Sequence, residues 1–312
     1  MKLINKELRI ETTNRCNAKC SLCPREKLTR KLTTMPLKHF KYLVDQGKEL
    51  GVTTVSPFGF GEPLLDSTLV QKVHYCTHEK LDTFITTNAS LLNVDIASRL
   101  LKAGLKHIRF SVHGLFAQDY ERVHKGLRFV NVMRNIFNFI AMNSGKFDGA
   151  CKTSVTVIPT AGESVEDIRE HWEHRVDWLE IWKPHNWVTG RDYRDIHSKP
   201  TEEPLLVKKK RMKTCGRSDR GPVQIQADGT VIPCCFLTNS ELVLGTTYKN
   251  SIEEILKGEK YEKFRRAHKK GKLGKYPCVN CDQLNQDDEP LLYTNRGVGK
   301  GATSSIKFNL GG

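Results

Sequence analysis

Three thiols fall within eight residues, at Cys16, Cys20 and Cys23, directly after the first β-rich run of the chain. Three soft donors in one loop can wrap a metal centre, and three rather than four leave one coordination position open. An open position predicts a catalytic centre rather than a scaffold. The alternative is a zinc knuckle completed by a histidine, but no histidine lies within a few residues. A second group, Cys215, Cys234, Cys235, Cys278 and Cys281, contains the metal-binding pair Cys278-x2-Cys281. Cys76 and Cys151 stand apart from both groups and read as ordinary buried thiols.

Both groups need a frame to hold them. From Leu8 to about Ile181, β-rich runs alternate with amphipathic helical stretches, the pattern of parallel β/α units. Six strands are predicted, at 8–11, 53–58, 83–87, 107–112, 153–158 and 178–181. Helices are predicted at 37–50, stopped by Gly51, at 93–103, at 130–142, and from Ser164 to about Trp172. Six units are too few for a closed eight-stranded barrel, so the expected fold is α/β: a partial (β/α)6 TIM-like barrel over residues 1–182, with its chemistry at the strand C-termini. Residues 183–204 read as a linker and 205–290 as a small α+β unit. That unit carries a hairpin, 223–226 with 230–233 around Asp228-Gly229, and a helix opening at Ser251 with Glu254 in capping-box position. Residues 291–312 read as a loosely held tail.

Composition excludes several classes. The chain has 312 residues and 35.5 kDa, 38% hydrophobic and 27% charged, which suits one large or two modest globular domains and rules out disorder or collagen. No apolar run approaches the roughly 18 residues of a membrane span, and the first residues lack a signal-peptide core, so a cytoplasmic location without membrane partners is expected. In that setting ten cysteines argue for metal or redox chemistry rather than disulfides. A formal charge of +15 points to an acidic partner.

With Cys16-x3-Cys20-x2-Cys23 placed after a first barrel strand, the chain resembles the radical S-adenosylmethionine (SAM) superfamily. The resemblance implies that these cysteines hold a 4Fe-4S cluster whose fourth iron binds the amino and carboxylate groups of SAM. One-electron cleavage of that cofactor then yields a 5′-deoxyadenosyl radical, which takes hydrogen from the substrate. Gly59-Phe60-Gly61-Glu62-Pro63 resembles the family's Gly-Gly-Glu-Pro segment, with Phe60 in place of a glycine, and implies Glu62 as partner of the cofactor ammonium. Thr86-Thr87-Asn88 resembles its Thr-Asn-Gly stretch, with Ala89 where glycine is usual. Ser111-Val112-His113-Gly114 resembles a ribose or carboxylate contact segment whose third residue is commonly Asp. Lys125 and Arg128 are candidates for pairing the cofactor carboxylate, with a solvated surface role as the alternative.

Cys215, Gly229-x4-Cys234 and Cys278-x2-Cys281 resemble the auxiliary-cluster domain called SPASM in its long form and twitch in its short form. No cysteine follows Cys281, which selects the short form. The resemblance implies a second 4Fe-4S cluster closed by Cys215, Cys234, Cys278 and Cys281 and used for electron transfer. Cys235 is the spare thiol and the alternative to Cys234, and a zinc ribbon is the alternative to the cluster.

Gly61-Glu62-Pro63-Leu64-Leu65 is similar to a run in twitch-type dehydrogenases that oxidise a secondary alcohol of an aminocyclitol. The expected reaction is therefore dehydrogenation of a hydroxyl-bearing small molecule, acidic or phosphorylated in keeping with the charge, driven by a reductant such as flavodoxin or ferredoxin. A peptide-modifying enzyme is the second reading, although no peptide-recognition unit is expected before Leu8. A zinc-binding interaction module is the third. Trp182 to Trp187, Arg191 and Arg194 offer aromatic faces and anion-binding groups near the sixth strand. Lysines and arginines crowd 208–213 and 257–275 and form either a docking face or a solvated helix face. No RNA-binding motif accompanies them, which argues against a nucleic acid partner.

Overall fold

The six predicted barrel strands are all present. In the computed structural model, which describes residues 2–159, 162–183, 212–284 and 291–296, they begin with β1 (Glu7–Ile10), followed by a two-residue strand β2 (Lys19–Cys20), α1 (Leu37–Glu49), β3 (Thr54–Ser56), α2 (Leu69–His78) and β4 (Asp82–Thr87). Then come α3 (Val94–Lys102), β5 (His107–Ser111), α4 (Ala117–Val123), β6 (His124–Lys125), α5 (Phe129–Lys146), β7 (Lys152–Val157), α6 (Val165–Trp172) and β8 (Trp178–Trp182). The C-terminal unit adds α7 (Arg217–Arg220), the hairpin β9 (Val223–Ile225) and β10 (Thr230–Ile232), β11 (Gly245–Thr246), α8 (Ile252–Lys257), α9 (Glu259–Lys270) and β12 (Leu291–Thr294). The segment 184–187, Arg191, Arg194 and the basic run 208–211 lie outside the described residues, as does most of the expected linker and tail.

Ten strands form one sheet in the order β11-β10-β9-β1-β3-β4-β5-β7-β8-β12. The six barrel strands are parallel, so their C-terminal ends share one rim. The hairpin is not a separate layer. Its strand β9 pairs in parallel with β1, Leu8 opposite Val223, and so extends the barrel sheet. One apolar core accordingly joins Leu8, Ile10, Phe40 and Leu43 to Ile225, Ile252 and Phe264, while a second packs α3, α5 and α6 on the other strands. Residues 291–294 depart from the expected loose tail. They form an antiparallel edge strand against β8, and the Asn295 side chain accepts the Leu179 amide at 2.8 Å.

Side-chain caps explain three of the helix starts. Asn93 caps α3 through the Ile96 amide, Ser164 caps α6 through the Asp167 amide, and Ser251 and Glu254 close a reciprocal capping box on α8. Ser251→Ala removes one half of that box and is expected to cost about 1 kcal/mol, read as a lower midpoint in urea unfolding; an unchanged midpoint would show that α8 does not depend on its cap. Helix α2 has a different origin. Its inward stripe is Leu69, Lys72, Val73 and Cys76, with the buried Lys72 ammonium donating to Asp66 Oδ2 at 2.5 Å and to the Met35 carbonyl at 2.7 Å. A lysine at a core position is tolerated only when paired in this way.

Candidate functional site

The loop after β1 brings Cys16, Cys20 and Cys23 to the rim of the barrel. It is pinned there from several directions. Lys19–Cys20 pairs antiparallel with His124–Lys125, and the Ser21 amide donates to the Val123 carbonyl at 2.9 Å. Asn17, between the first two cysteines, donates to Ser90 Oγ at 2.8 Å and accepts from Asn88 Nδ2 at 3.1 Å, which ties the loop to the end of β4. The sequence offered no motif for Asn17.

All three thiols line a cavity of about 360 Å³ whose other walls come from the ends of β1, β3, β4, β5 and β7 and from the β9–β10 hairpin. Burial pushes the Cys23 thiol up to about 11 and raises Cys16 as well. Cys20 rises further, first by burial and then by the charges of Cys23 and Cys16. Three thiolates gathered here are therefore costly without a bound cation, which is the condition an iron-sulfur cluster satisfies. The Tyr120 hydroxyl, wholly buried and without a hydrogen-bond partner among the described residues, lies in the same neighbourhood: after burial itself, the charges of Cys20 and Glu62 are what push its phenol up. An orphaned donor of this kind fits a cofactor site. Among the described residues no three His, Cys, Asp or Glu donors are gathered closely enough to share one metal ion.

The structure brings most of the motif residues to this cavity. Gly59, Gly61, Glu62, Thr87, Asn88, Ser111 and His113 all line it. The two glycines allow close packing. A Cβ on Gly61 would sit 2.2 Å from the Thr13 carbonyl oxygen, and one on Gly59 would sit 2.6 Å from the Glu11 side chain. Glu62 does more than face the cavity. It caps the 3-10 turn that starts at Pro63 by accepting the Leu64 amide, while Thr87 Oγ1 (2.7 Å) and the Asn88 amide (2.8 Å) also donate to it. Burial nevertheless pushes this carboxyl up to about 7, against the lowering effect of those three bonds. Ala89 adopts φ +57°, a left-handed conformation that explains why glycine suits that position. His113 Nδ1 accepts the Ile158 amide at 2.9 Å, joining the ends of β5 and β7.

Lys125 and Arg128 do not reach the cavity. Lys125 is exposed in the two-residue ladder opposite Lys19, and Arg128 points outward to Glu121 at 3.4 Å with 73% of its side chain exposed.

Sequence reasoning missed Glu11. Its carboxylate is buried at the cavity wall and takes both ends of the Arg30 guanidinium, at 2.8 and 3.1 Å. It also accepts the Phe60 amide at 2.9 Å and the Ala227 amide at 3.1 Å. One side chain thus joins the cysteine loop, the glycine segment and the C-terminal hairpin.

In the C-terminal unit Cys215, Cys234, Cys278 and Cys281 line one small apolar cavity together with Phe264 and His268, whose Nε2 is 3.5 Å from Cys278 Sγ. A hydrogen bond with Cys235, and then burial, push the Cys234 thiol well up. Cys235, although bonded to Cys234, does not line that cavity. It lines the first cavity instead, while Arg217, which lines the second, donates to its sulfur at 3.2 Å. Among the described residues no helix is long and apolar enough to cross a membrane.

Comparison with known proteins agrees with this geometry. A profile of the radical SAM superfamily matches residues 10–174, and one of an iron-sulfur cluster-binding domain, SPASM, matches residues 215–282. A GTP 3′,8-cyclase of Desulforamulus reducens is 32% identical over 133 residues, 41% of this chain and 41% of that protein. A PqqA peptide cyclase of Granulibacter bethesdensis is 29% identical over 114 residues, 36% of this chain and 30% of that protein. The chain thus spans less than half the length of either of these relatives. The solved structure of BtrN in complex with AdoMet and 2-DOIA superposes with a TM-score of 0.63 at 20% identity, covering 94% of this chain and all of that one, a likeness of fold. With a three-thiol rim site, a matching profile over more than half its length and a SPASM domain behind it, the chain belongs to the radical SAM superfamily, whose members use SAM and a 4Fe-4S cluster, here with an auxiliary iron-sulfur site.

Proposed function

We propose that this enzyme removes two electrons from a hydroxyl-bearing small molecule. In this reading Cys16, Cys20 and Cys23 hold the SAM-binding cluster, and Cys215, Cys234, Cys278 and Cys281 hold the auxiliary one. The supporting observation is the placement of two adjacent residues: Cys234 faces the second cavity while Cys235 faces the first. A four-thiol site one residue from substrate space suits an electron acceptor, because closed coordination leaves it no position for a ligand. When bound, SAM and the first cluster supply one-electron cleavage and the abstraction of a hydrogen atom.

The chain's own residues do the rest. Gly59, Gly61, Glu62, Thr87, Asn88, Ser111 and His113 surround the cofactor, with Pro63 fixing the turn that carries Glu62. Leu22, Phe58, Phe60, Ile158, Ile225 and Ile232 exclude water, and Arg9 and Gln224 present polar groups to hydroxyls. The substrate loses its carbinol hydrogen as an atom, its hydroxyl hydrogen as a proton, and one electron to the auxiliary site. Helix α9 exposes Lys260, Lys263, Arg266, Lys269 and Lys270, while Phe264 and His268 on its inner side line the auxiliary cavity. That face suits an acidic reductant such as flavodoxin or ferredoxin.

A panel of aminocyclitols and sugar alcohols deuterated at the carbinol carbon tests the proposal. Deuterium is expected in 5′-deoxyadenosine, together with a product two hydrogens poorer than the substrate. If no alcohol on the panel gives up its deuterium, oxidation of a small hydroxylated molecule is the wrong reaction. Transfer from a peptide instead would establish the second reading, which the likeness to a peptide cyclase favours.

A further inference from the structure

We propose that His124 donates a hydrogen bond from Nδ1–H to Cys20 Sγ and so raises the reduction potential of the cluster that Cys20 helps to hold. The proposal rests on the reading that Cys16, Cys20 and Cys23 are the cluster ligands. Cys20 and His124 are direct partners in the β2–β6 ladder, and the imidazole Nδ1 lies 3.4 Å from the sulfur. The other ring nitrogen fixes the tautomer. Nε2 accepts the His113 backbone N–H at 3.1 Å, so it carries no proton of its own, and the proton of the neutral ring is on Nδ1, facing the thiolate.

The ring has no room to turn. It is stacked on Tyr120 at 4.3 Å on an 18° interplanar angle and on His113 at 5.0 Å on 8°. His113 is itself held by the Ile158 amide on its Nδ1. A chain of donors therefore runs from the end of β7, through the end of β5, to the sulfur of Cys20. Reduction adds negative charge to a cluster and spreads it over the sulfurs, so a donor already aimed at one of them stabilises the reduced form more than the oxidised form. His124 touches a proposed ligand rather than SAM or substrate, and it acts as a positioning residue.

The test is an EPR-monitored redox titration of the reconstituted enzyme, following the signal that changes when SAM is added. His124→Phe keeps the stack but removes the donor. At a fixed solution potential the ratio of reduced to oxidised cluster is expected to fall by up to about tenfold, equivalent to about 59 mV for a one-electron couple. His124→Asn can place an amide N–H near the Nδ1 position and is expected to recover most of that loss. A packing role alone would lower cluster loading and leave the midpoint where it was. A wild-type midpoint in His124→Phe, or an equal shift in both variants, overturns the proposal. A measurement independent of variant folding uses wild-type enzyme grown with 15N-histidine. Pulsed EPR of the SAM-sensitive signal is expected to show a 15N coupling; its absence from loaded enzyme overturns the proposal, whereas failure of the wild type to bind iron overturns the cluster assignment instead.

Discussion

Replacing Cys16, Cys20 and Cys23 together by alanine is expected to abolish reductive cleavage of SAM and to lower the iron content from about eight to about four per chain. The expectation follows from how the three thiols are held. They are three of the four thiols that line the first cavity, and burial raises all three, so their thiolates are stable there only with a cation present. The second cysteine group lines its own cavity behind the β9–β10 hairpin and is expected to keep its iron. Iron and sulfide analysis after anaerobic reconstitution, with 5′-deoxyadenosine measured under dithionite, checks both halves. Cleavage surviving in the triple variant would remove the cluster from this loop, and zinc in place of iron would overturn both sites.

The rim of the site was legible because each barrel strand announces itself. Runs such as Thr83 to Thr87 and His107 to Val112 are β-branched or aromatic, and the residues that follow them form turns at one end of a parallel sheet. Elements that depend on distant partners were not legible. Helix α2 went unpredicted because Lys72 interrupts its apolar stripe, and only the Asp66 carboxylate and the Met35 carbonyl make that lysine a core residue. Strand β12 gains its order from β8, more than a hundred residues earlier, and the hairpin its place from parallel pairing with β1. Neither partnership leaves a mark in local sequence. Lys125 and Arg128 have the charge and position to suit a carboxylate, and the chain places both at the exposed surface, a direction that local sequence does not encode.

Glu11 is the clearest case of a functional position without a sequence signal, and its removal is the second large effect expected. As the last residue of a predicted strand it looks like any acid beside a turn. In the fold it holds Arg30, whose Nε also donates to the Thr238 carbonyl at 2.7 Å, and both side chains of the pair are less than 10% exposed. Glu11→Ala leaves a buried guanidinium without its counter-charge and takes from the Phe60 and Ala227 amides the acceptor that the carboxylate provides. Breaking a buried pair from one side costs about 3–5 kcal/mol, which for a chain of this size lowers Tm by roughly 5–8 °C. Because Arg30 has lost its reason to be buried, Arg30→Ala added to Glu11→Ala is expected to cost little more, and the double-mutant cycle should show strong coupling. SAM cleavage should fall as well, since Phe60 and the β9–β10 hairpin both wall the cofactor cavity. Glu11→Gln keeps an acceptor for one of the amides and should lie between wild type and alanine on both measures. A Glu11→Ala protein with unchanged Tm would mean that the carboxylate does not join the cysteine loop to the C-terminal unit, and the shared core around Leu8 and Ile225 would have to hold the two together by itself.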